Sequence, residues 1–443
     1  MAASDWRFLA AAPSWLSHAA VLRPPAAGGA LWRAIGDARF DAAMAAATAA
    51  FDLGDDTVSE EMGLLARIAK DERIAGEFFR FSPQPDARAW RNRGVAALWA
   101  HRWDAAAAAF SAGSGDGADG RWCRESLGLM LVLARRWAEA EALLGPPGEA
   151  EAEGLGPVAH LCRMAASWGL GREDLGPDLD PAVLLSPGAA APNAGSGLPG
   201  RRVGGDLILF LACDPGYFDR HGLAALASFA HAHRGLRLGA HLHLYDPTPQ
   251  VRAQAEQAAA VLGVDLVLTG EAAPAEADPA RRGAYCACAR FCRLSEALPA
   301  YDAPVLALDA DALVRHALTP LLARVPHAAL ALSPLSVPWN RHPAGFLLVR
   351  PGAAGAAFLS DAARLIGDSL GRGRRLWFLD QWALLLAAER HAARLRLLPW
   401  RCVYDTGFGP RSWVWQANDA RKADPLYRAE AERLRRSATA TAG

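Results

Sequence analysis

The residues best suited to chemistry are Asp309 and Asp311, two carboxylates spaced i, i+2 at the end of the apolar run Val305-Leu306-Ala307-Leu308. A buried strand delivers its last residues to the carboxyl edge of a sheet, where open α/β folds bind their ligands. Two aspartates so placed repel each other and are costly to desolvate, so something positive should offset them. A hard divalent cation bridging to a diphosphate meets that demand, because Mn²⁺ or Mg²⁺ prefers carboxylate, phosphate and water oxygens. Taken alone, the two aspartates also read as solvated turn residues capping the next segment.

The elements that must position them follow an alternating pattern. The apolar run at 207–211 reads as a buried strand, and 238–245 and 264–268 as a second and third strand, separated by helical patterns at 223–233 and 249–262. Another helical stretch runs through 290–298 before the strand that ends at Asp309. This βαβ alternation calls for a mainly parallel sheet with helices on both faces. Residues 1–176 read differently: alanine-rich, poor in β-branched runs and broken by Gly/Asp turns, they predict an all-α domain. Leu98-Trp99-Ala100-His101-Arg102-Trp103-Asp104-Ala105-Ala106 is echoed by Val132-Leu133-Ala134-Arg135-Arg136-Trp137-Ala138-Glu139-Ala140. Trp103 and Trp137 stand one tetratricopeptide period apart, about 34 residues, and each aromatic would open the second helix of a pair. Phe40, a little short of two such periods before Trp103, is a candidate third instance. A generic helical bundle with coincidental spacing is the other reading.

A chain of 443 residues favours two domains. The Pro/Gly-rich stretch 177–205 is a linker by composition, followed by an α/β domain at 206–425 and a C-terminal helix or tail at 426–443. With 47 basic and 47 acidic side chains, the net charge of zero gives no reason to expect nucleic acid or an anionic membrane as partner. Nearly every basic residue is arginine, so Lys422, one of two lysines with Lys70, is noticeable. The sequence lacks an apolar run long enough for a transmembrane helix and lacks a signal-peptide layout. Cys286, Cys288 and Cys292 cluster without paired CxxC spacing and read as small core-facing side chains on a helix. A reducing cytoplasm is the expected compartment.

Further pieces lie in a definite order around the two aspartates. Ala212-Cys213-Asp214-Pro215-Gly216-Tyr217 ends the first strand, and Phe291-Cys292-Arg293-Leu294, followed by Leu298-Pro299, precedes the aspartates. Ala344-Gly345-Phe346-Leu347-Leu348-Val349 and Trp377-Phe378-Leu379-Asp380-Gln381-Trp382 follow them. The last piece is Trp413-Val414-Trp415-Gln416-Ala417-Asn418-Asp419-Ala420-Arg421-Lys422. In this order the segment 205–425 resembles a nucleotide-sugar glycosyltransferase of the GT-A fold, closest to glycosyltransferase family 8.

The resemblance implies roles. Asp214 would contact the nucleotide base and Tyr217 would stack on it; an exposed strand-end aromatic is a ready platform for a planar ring. Arg293 would face the metal and phosphates, with Arg290 one turn earlier able to share that role. Ala344 and Gly345 would line the sugar pocket, where glycine allows close backbone approach. Asp380 and Gln381 would lie beneath the donor sugar and stabilise oxocarbenium charge. Lys422 would bind the diphosphate. Asp309 and Asp311 would hold Mn²⁺ or Mg²⁺ together with Gln416, which stands where the family has a histidine. Asp419 occupies the place of a family glycine and Pro343 that of an asparagine, for which Asn340 could compensate. Each piece alone has an ordinary structural reading: a turn aspartate with a half-buried tyrosine, surface cations, a bulge glycine, or a helix N-cap at Asp380.

The implied activity is metal-dependent transfer of a sugar from a nucleotide diphosphate sugar, a UDP-hexose, to a glycan, a lipid-linked glycan or a protein. The helical domain would dock an acceptor or a protein partner. A sugar nucleotidyltransferase and a helical-repeat scaffold with a degenerate transferase domain are the alternatives.

Overall fold

The computed structural model describes residues 30–36, 39–52, 58–82, 84–145, 157–171, 203–333, 341–371, 373 and 375–439. Most of the expected linker, and Asn340, lie outside these residues. The chain divides into two compact units, residues 1–177 and, apart from 335–337, residues 178–443.

The first unit is helical throughout its described residues. Its helices pair as hairpins: Ala30–Gly36 with Phe40–Asp52, Ser59–Ile68 with Glu72–Phe81, Ala87–Trp99 with Trp103–Gly113, and Ala118–Leu133 with Trp137–Leu144. A further helix spans Pro157–Gly169. Phe40, Trp103 and Trp137 each open the second helix of a pair. Glu72 opens another between Phe40 and Trp103, and the steps from one second helix to the next are unequal. A shared packing device accompanies the hairpins. A Cβ on Gly63 would fall 2.5 Å from the Phe79 ring, one on Gly94 would overlap the Phe110 ring, and one on Gly128 would come 2.6 Å from Leu144. In these three pairs a glycine of the first helix receives a large side chain of the second, and the step in sequence from glycine to side chain is the same each time. Two helices so matched approach closely without a void.

The second unit is built on a seven-stranded sheet. Its strands are β1 (Leu207–Cys213), β2 (Leu238–Tyr245), β3 (Val264–Glu271), β4 (Val305–Leu308), β6 (Ala328–Leu332), β7 (Phe346–Val349) and β8 (Leu395–Pro399), in the order β3-β2-β1-β4-β7-β6-β8. Two further strands, β5 (Ala312–Val314) and β9 (Val414–Gln416), form a separate antiparallel pair. β1 is parallel to β2 and β4, and only β7 runs against its neighbours. β2, β4 and β7 are buried along their whole length, β4 and β7 as unbroken apolar runs and β2 with His241 and His243 buried within it, whereas edge strand β8 is mostly exposed. Helices Leu223–Ala232, Pro249–Leu262, Pro279–Ala297 and Ala353–Gly371 complete the layers. The expected mainly parallel α/β sheet is therefore found in the second unit, and the first is all-α among its described residues. Cys288 and Cys292 are buried on helix Pro279–Ala297 and Cys286 half-buried, and all seven cysteines are free thiols. Among the described residues no helix is long and apolar enough to cross a membrane.

Candidate active site

Sheet direction gathers the site. β1 and β4 are parallel while β7 is antiparallel to β4, so the ends of β1 and β4 and the start of β7 share one edge. Asp214, Asp309 and Gly345 stand there in consequence. The Asp309 N–H donates to the Gly345 carbonyl at 3.2 Å, extending the ladder one residue past β4. A turn closed by Ala312 N–H to Asp309 O, 3.0 Å, then reverses the chain into β5. The turn buries the Asp311 carboxylate to 6% exposure and leaves that of Asp309 at 27%. β5 pairs with β9 in the register Ala312↔Gln416, which sets the Gln416 side chain against Asp311.

Asp311 is fully engaged. The Tyr217 hydroxyl donates to Oδ2 at 2.6 Å, Lys422 Nζ lies 3.1 Å from the same oxygen, and the Gln416 amide donates to Oδ1. Burial, then the neighbouring Asp309, push its pKa up, and Lys422 opposes them. Burial followed by the Asp311 charge keeps the Tyr217 phenol protonated. His221, packed on the Tyr217 ring at 4.8 Å, is held neutral by burial and by Lys422, with a pKa of about 4.

Asp309 pairs with Arg290, whose guanidinium also donates to the Ala344 carbonyl at 3.1 Å and reaches Asp380 at 3.4 Å. Burial raises Asp380 to about 6 against the pull of Arg290, with Asp309 adding to the rise. Three carboxylates thus face two cations, leaving the cluster one positive charge short of neutral. Asp380 Oδ1 accepts from the Gln381 N–H at 2.8 Å within the first turn of helix Leu379–Arg390; the N-cap position belongs to Phe378, so Asp380 is not the N-cap its place in the sequence suggested. Gln381 Oε1 is buried without a hydrogen-bond partner.

One expected placement needs correction. Arg293 does not reach the aspartates: it pairs with Glu271 at the end of β3 and, at 2.8 Å, with Glu296 one turn on. Two carboxylates already neutralise it, and the helix turns Arg290 toward the site instead. The Tyr217 hydroxyl is committed to Asp311, and its ring lies 5.2 Å from Lys422 Nζ. Asp214 caps the short helix Pro215–Tyr217 through the Tyr217 N–H, 2.8 Å. Ala344 contributes its backbone carbonyl to the cluster.

Gly345 matters through what it lacks. A Cβ there would fall 2.5 Å from Asp309 Oδ2, 2.5 Å from Tyr404 Cε2 and 3.0 Å from Gln416 Oε1. Gln416 Oε1 is buried and accepts no hydrogen bond. Asp309 Oδ2 and the orphaned Gln416 Oε1 therefore both crowd against the Gly345 backbone, where there is no room for a side chain, and two oxygens so close together are a donor set suited to a hard cation. Among the described residues no three His, Cys, Asp or Glu side chains are grouped to hold a metal, so any cation relies on two carboxylates and an amide.

The sequence reading missed Tyr404 and Asp405. The Asp405 carboxylate accepts from Gly407 N–H at 2.8 Å, from Gly409 N–H at 2.7 Å and from the Ser412 hydroxyl, and its carbonyl accepts from Gln416 N–H at 2.9 Å. This loop fixes β9 and hence Gln416. An aspartate followed by alternating glycines was its only signal.

No protein family matches the chain, and no curated protein does. Solved glycosyltransferase structures match its C-terminal half. GlyE of Streptococcus pneumoniae TIGR4 is 15% identical over 52% of this chain and 60% of its own, with a TM-score of 0.36. The galactosyltransferase LgtC, solved with donor and acceptor sugar analogs, is 15% identical over 54% of this chain and 96% of its own, TM-score 0.37. The bifunctional glycosyltransferase WbbM is 13% identical over 53% and 52%, TM-score 0.35. The match thus spans 60% of the GlyE chain and about half of WbbM.

Proposed function

We propose that the C-terminal unit transfers a sugar from a nucleotide diphosphate sugar, a UDP-hexose, to an acceptor. The observation that carries this reading is that Asp309 Oδ2 and the orphaned Gln416 Oε1 both border Gly345 at the carboxyl edge of the sheet, where any side chain would collide with them. Asp309, Asp311 and Gln416 would hold Mn²⁺ or Mg²⁺, which when bound neutralises charge on the leaving diphosphate. Lys422, reaching in from beyond β9, is placed to leave Asp311 for a diphosphate oxygen, since lysine is a flexible point charge. Arg290 holds Asp309 and Asp380 in fixed relation, so the metal-side carboxylate and the sugar-side carboxylate move as one unit. Asp380 lends negative charge to a developing oxocarbenium, and the free Gln381 oxygen accepts from a sugar hydroxyl. Asp214 and Tyr217 bound the base side of the site.

One observation favours a degenerate, non-catalytic domain: both Asp311 oxygens are already satisfied within the protein. Calorimetric titration of UDP with Mn²⁺ and with chelator, alongside slow hydrolysis of UDP-glucose and UDP-galactose, separates the two. Mn²⁺-dependent UDP binding with hydrolysis of either sugar nucleotide is expected. Binding that ignores the metal, with no hydrolysis, would refute the transferase reading.

A further inference from the structure

Trp377 and Phe378 are 54% and 42% exposed, two adjacent large aromatics just ahead of Asp380 in the chain. Their position is fixed from several sides. Arg375 pairs with Glu276, the Leu376 carbonyl accepts from Cys288 Sγ at 3.8 Å, and the Phe378 carbonyl accepts from Trp382 N–H at 2.9 Å. Phe378 itself has φ +69°, a conformation that L side chains rarely adopt and that the surrounding contacts must hold. The Trp377 ring lies over Gly283, where a Cβ would come 3.3 Å from its Cζ2.

Gly283 and Arg290 lie two turns apart on one face of helix Pro279–Ala297, roughly 10 Å along its axis. That helix connects β3 to β4, both running the same way as β1, so its N-terminal end lies at the carboxyl edge of the sheet. The indole therefore stands farther out on the ligand side than the Arg290–Asp309–Asp380 cluster. Its surroundings are polar: Arg281, Arg282 and Arg375 pair with Glu276 and Asp246. Two aromatic faces set among hydrogen-bonding groups, with the unpartnered Gln381 Oε1 close by in the chain, match a ring that is apolar on its C–H face and polar at its rim. A lipid chain would call for a wider apolar patch.

We infer that Trp377 and Phe378 form the acceptor shelf of this site and that its occupant is a saccharide ring. The inference rests on the transferase reading above. The test is saturation-transfer NMR on the full chain with UDP and Mn²⁺, using lactose, cellobiose and N-acetylchitobiose as probes and dodecyl phosphate as the lipid comparison. At least one disaccharide should receive saturation through its ring protons. Its affinity should fall about tenfold in Trp377→Ala and recover in Trp377→Phe. UDP affinity, measured on the same variants, should stay within about twofold. Disaccharide binding equal in parent and Trp377→Ala, the absence of any disaccharide signal, or Trp377-dependent binding of dodecyl phosphate alone would each overturn the shelf. Failure of the parent to bind UDP would instead remove the transferase reading beneath it.

Discussion

Replacing Gly345 by alanine tests the proposed cation site most directly, because the added methyl group would push against both proposed ligand oxygens. Gly345 does not occupy the left-handed region, so alanine brings no backbone conflict and restricts the unfolded chain, which alone stabilises by about 0.4–1 kcal/mol. Opposing this, the new Cβ would fall 2.5 Å from Asp309 Oδ2 and from Tyr404 Cε2. Both must retreat by about 1 Å, and overpacking of this kind costs about 1–3 kcal/mol. The net loss of roughly 0–2.5 kcal/mol lowers Tm by several degrees while the protein remains folded. Binding should change far more. A cation displaced from Asp309 Oδ2 and Gln416 Oε1 loses charge-assisted contacts worth about 1.5–3 kcal/mol, a roughly ten- to hundredfold drop in UDP affinity with Mn²⁺ present. Affinity in the presence of chelator should be unaltered. Paired calorimetric titrations with Mn²⁺ and with chelator, beside a thermal melt, give all three quantities. A Gly345→Ala protein that keeps the full Mn²⁺-dependent gain in UDP affinity would show that no cation uses these two oxygens.

Asp311→Ala orphans the Tyr217 hydroxyl and the Gln416 amide and should cost about 1–3 kcal/mol of stability, whereas Asp311→Asn should stay within about 1 kcal/mol of the parent. Urea unfolding separates them, and both variants should lose Mn²⁺-dependent UDP binding. Lys422→Ala should weaken UDP roughly ten- to hundredfold and Lys422→Arg much less, with equal affinity in parent and alanine variant marking Lys422 as an ordinary surface residue. Burial lowers the pKa of His342, whose ring nitrogen meets the Ala331 carbonyl, to about 4. A histidine whose folded pKa lies below its unfolded value gives stability that is present above about pH 6.5 and is lost as pH falls toward 4. His342→Gln should therefore lose about 2 kcal/mol less than the parent between pH 7 and pH 5 in urea titrations; equal losses would place the acid sensitivity elsewhere.

The sheet was legible where a strand is long or its apolar run unbroken: β1 and β4 are continuous apolar runs, and β2 and the helix Pro249–Leu262 occur at their expected limits. β5, β6, β8 and β9 were not read, because three-residue strands, a short alanine-rich strand and a mostly exposed edge carry no periodic signal. The aspartate pair was legible from its spacing, but its counter-ion was not. Arg290 and Arg293 stand one turn apart on one helix, and only the positions of Glu271 and Glu296 decide which one turns inward. Gln416 was found by counting back from Lys422, while the loop that aims it, organised by Asp405, depends on hydrogen bonds that no residue pattern announces. In the helical unit the aromatic residues marked three second helices and concealed the fourth, which begins with Glu72.

The regular spacing of the glycine sockets bears on how the chain is made. Gly63–Phe79, Gly94–Phe110 and Gly128–Leu144 are contacts of low sequence separation, which form early because little loop entropy is lost in closing them. β1 must wait for β4, since Ile208 is paired with Val305. That interval of roughly 100 residues takes roughly 5–20 seconds at a synthesis rate of about 5–20 residues per second. During it the helical hairpins can complete on the ribosome, and β1 can pair with β2 and β2 with β3, but the other edge of β1 stays open until β4 emerges. An open edge on a buried apolar strand is a template for wrong pairing, so the interval between β1 and β4 is the stretch of synthesis in which this sheet is most exposed to aggregation.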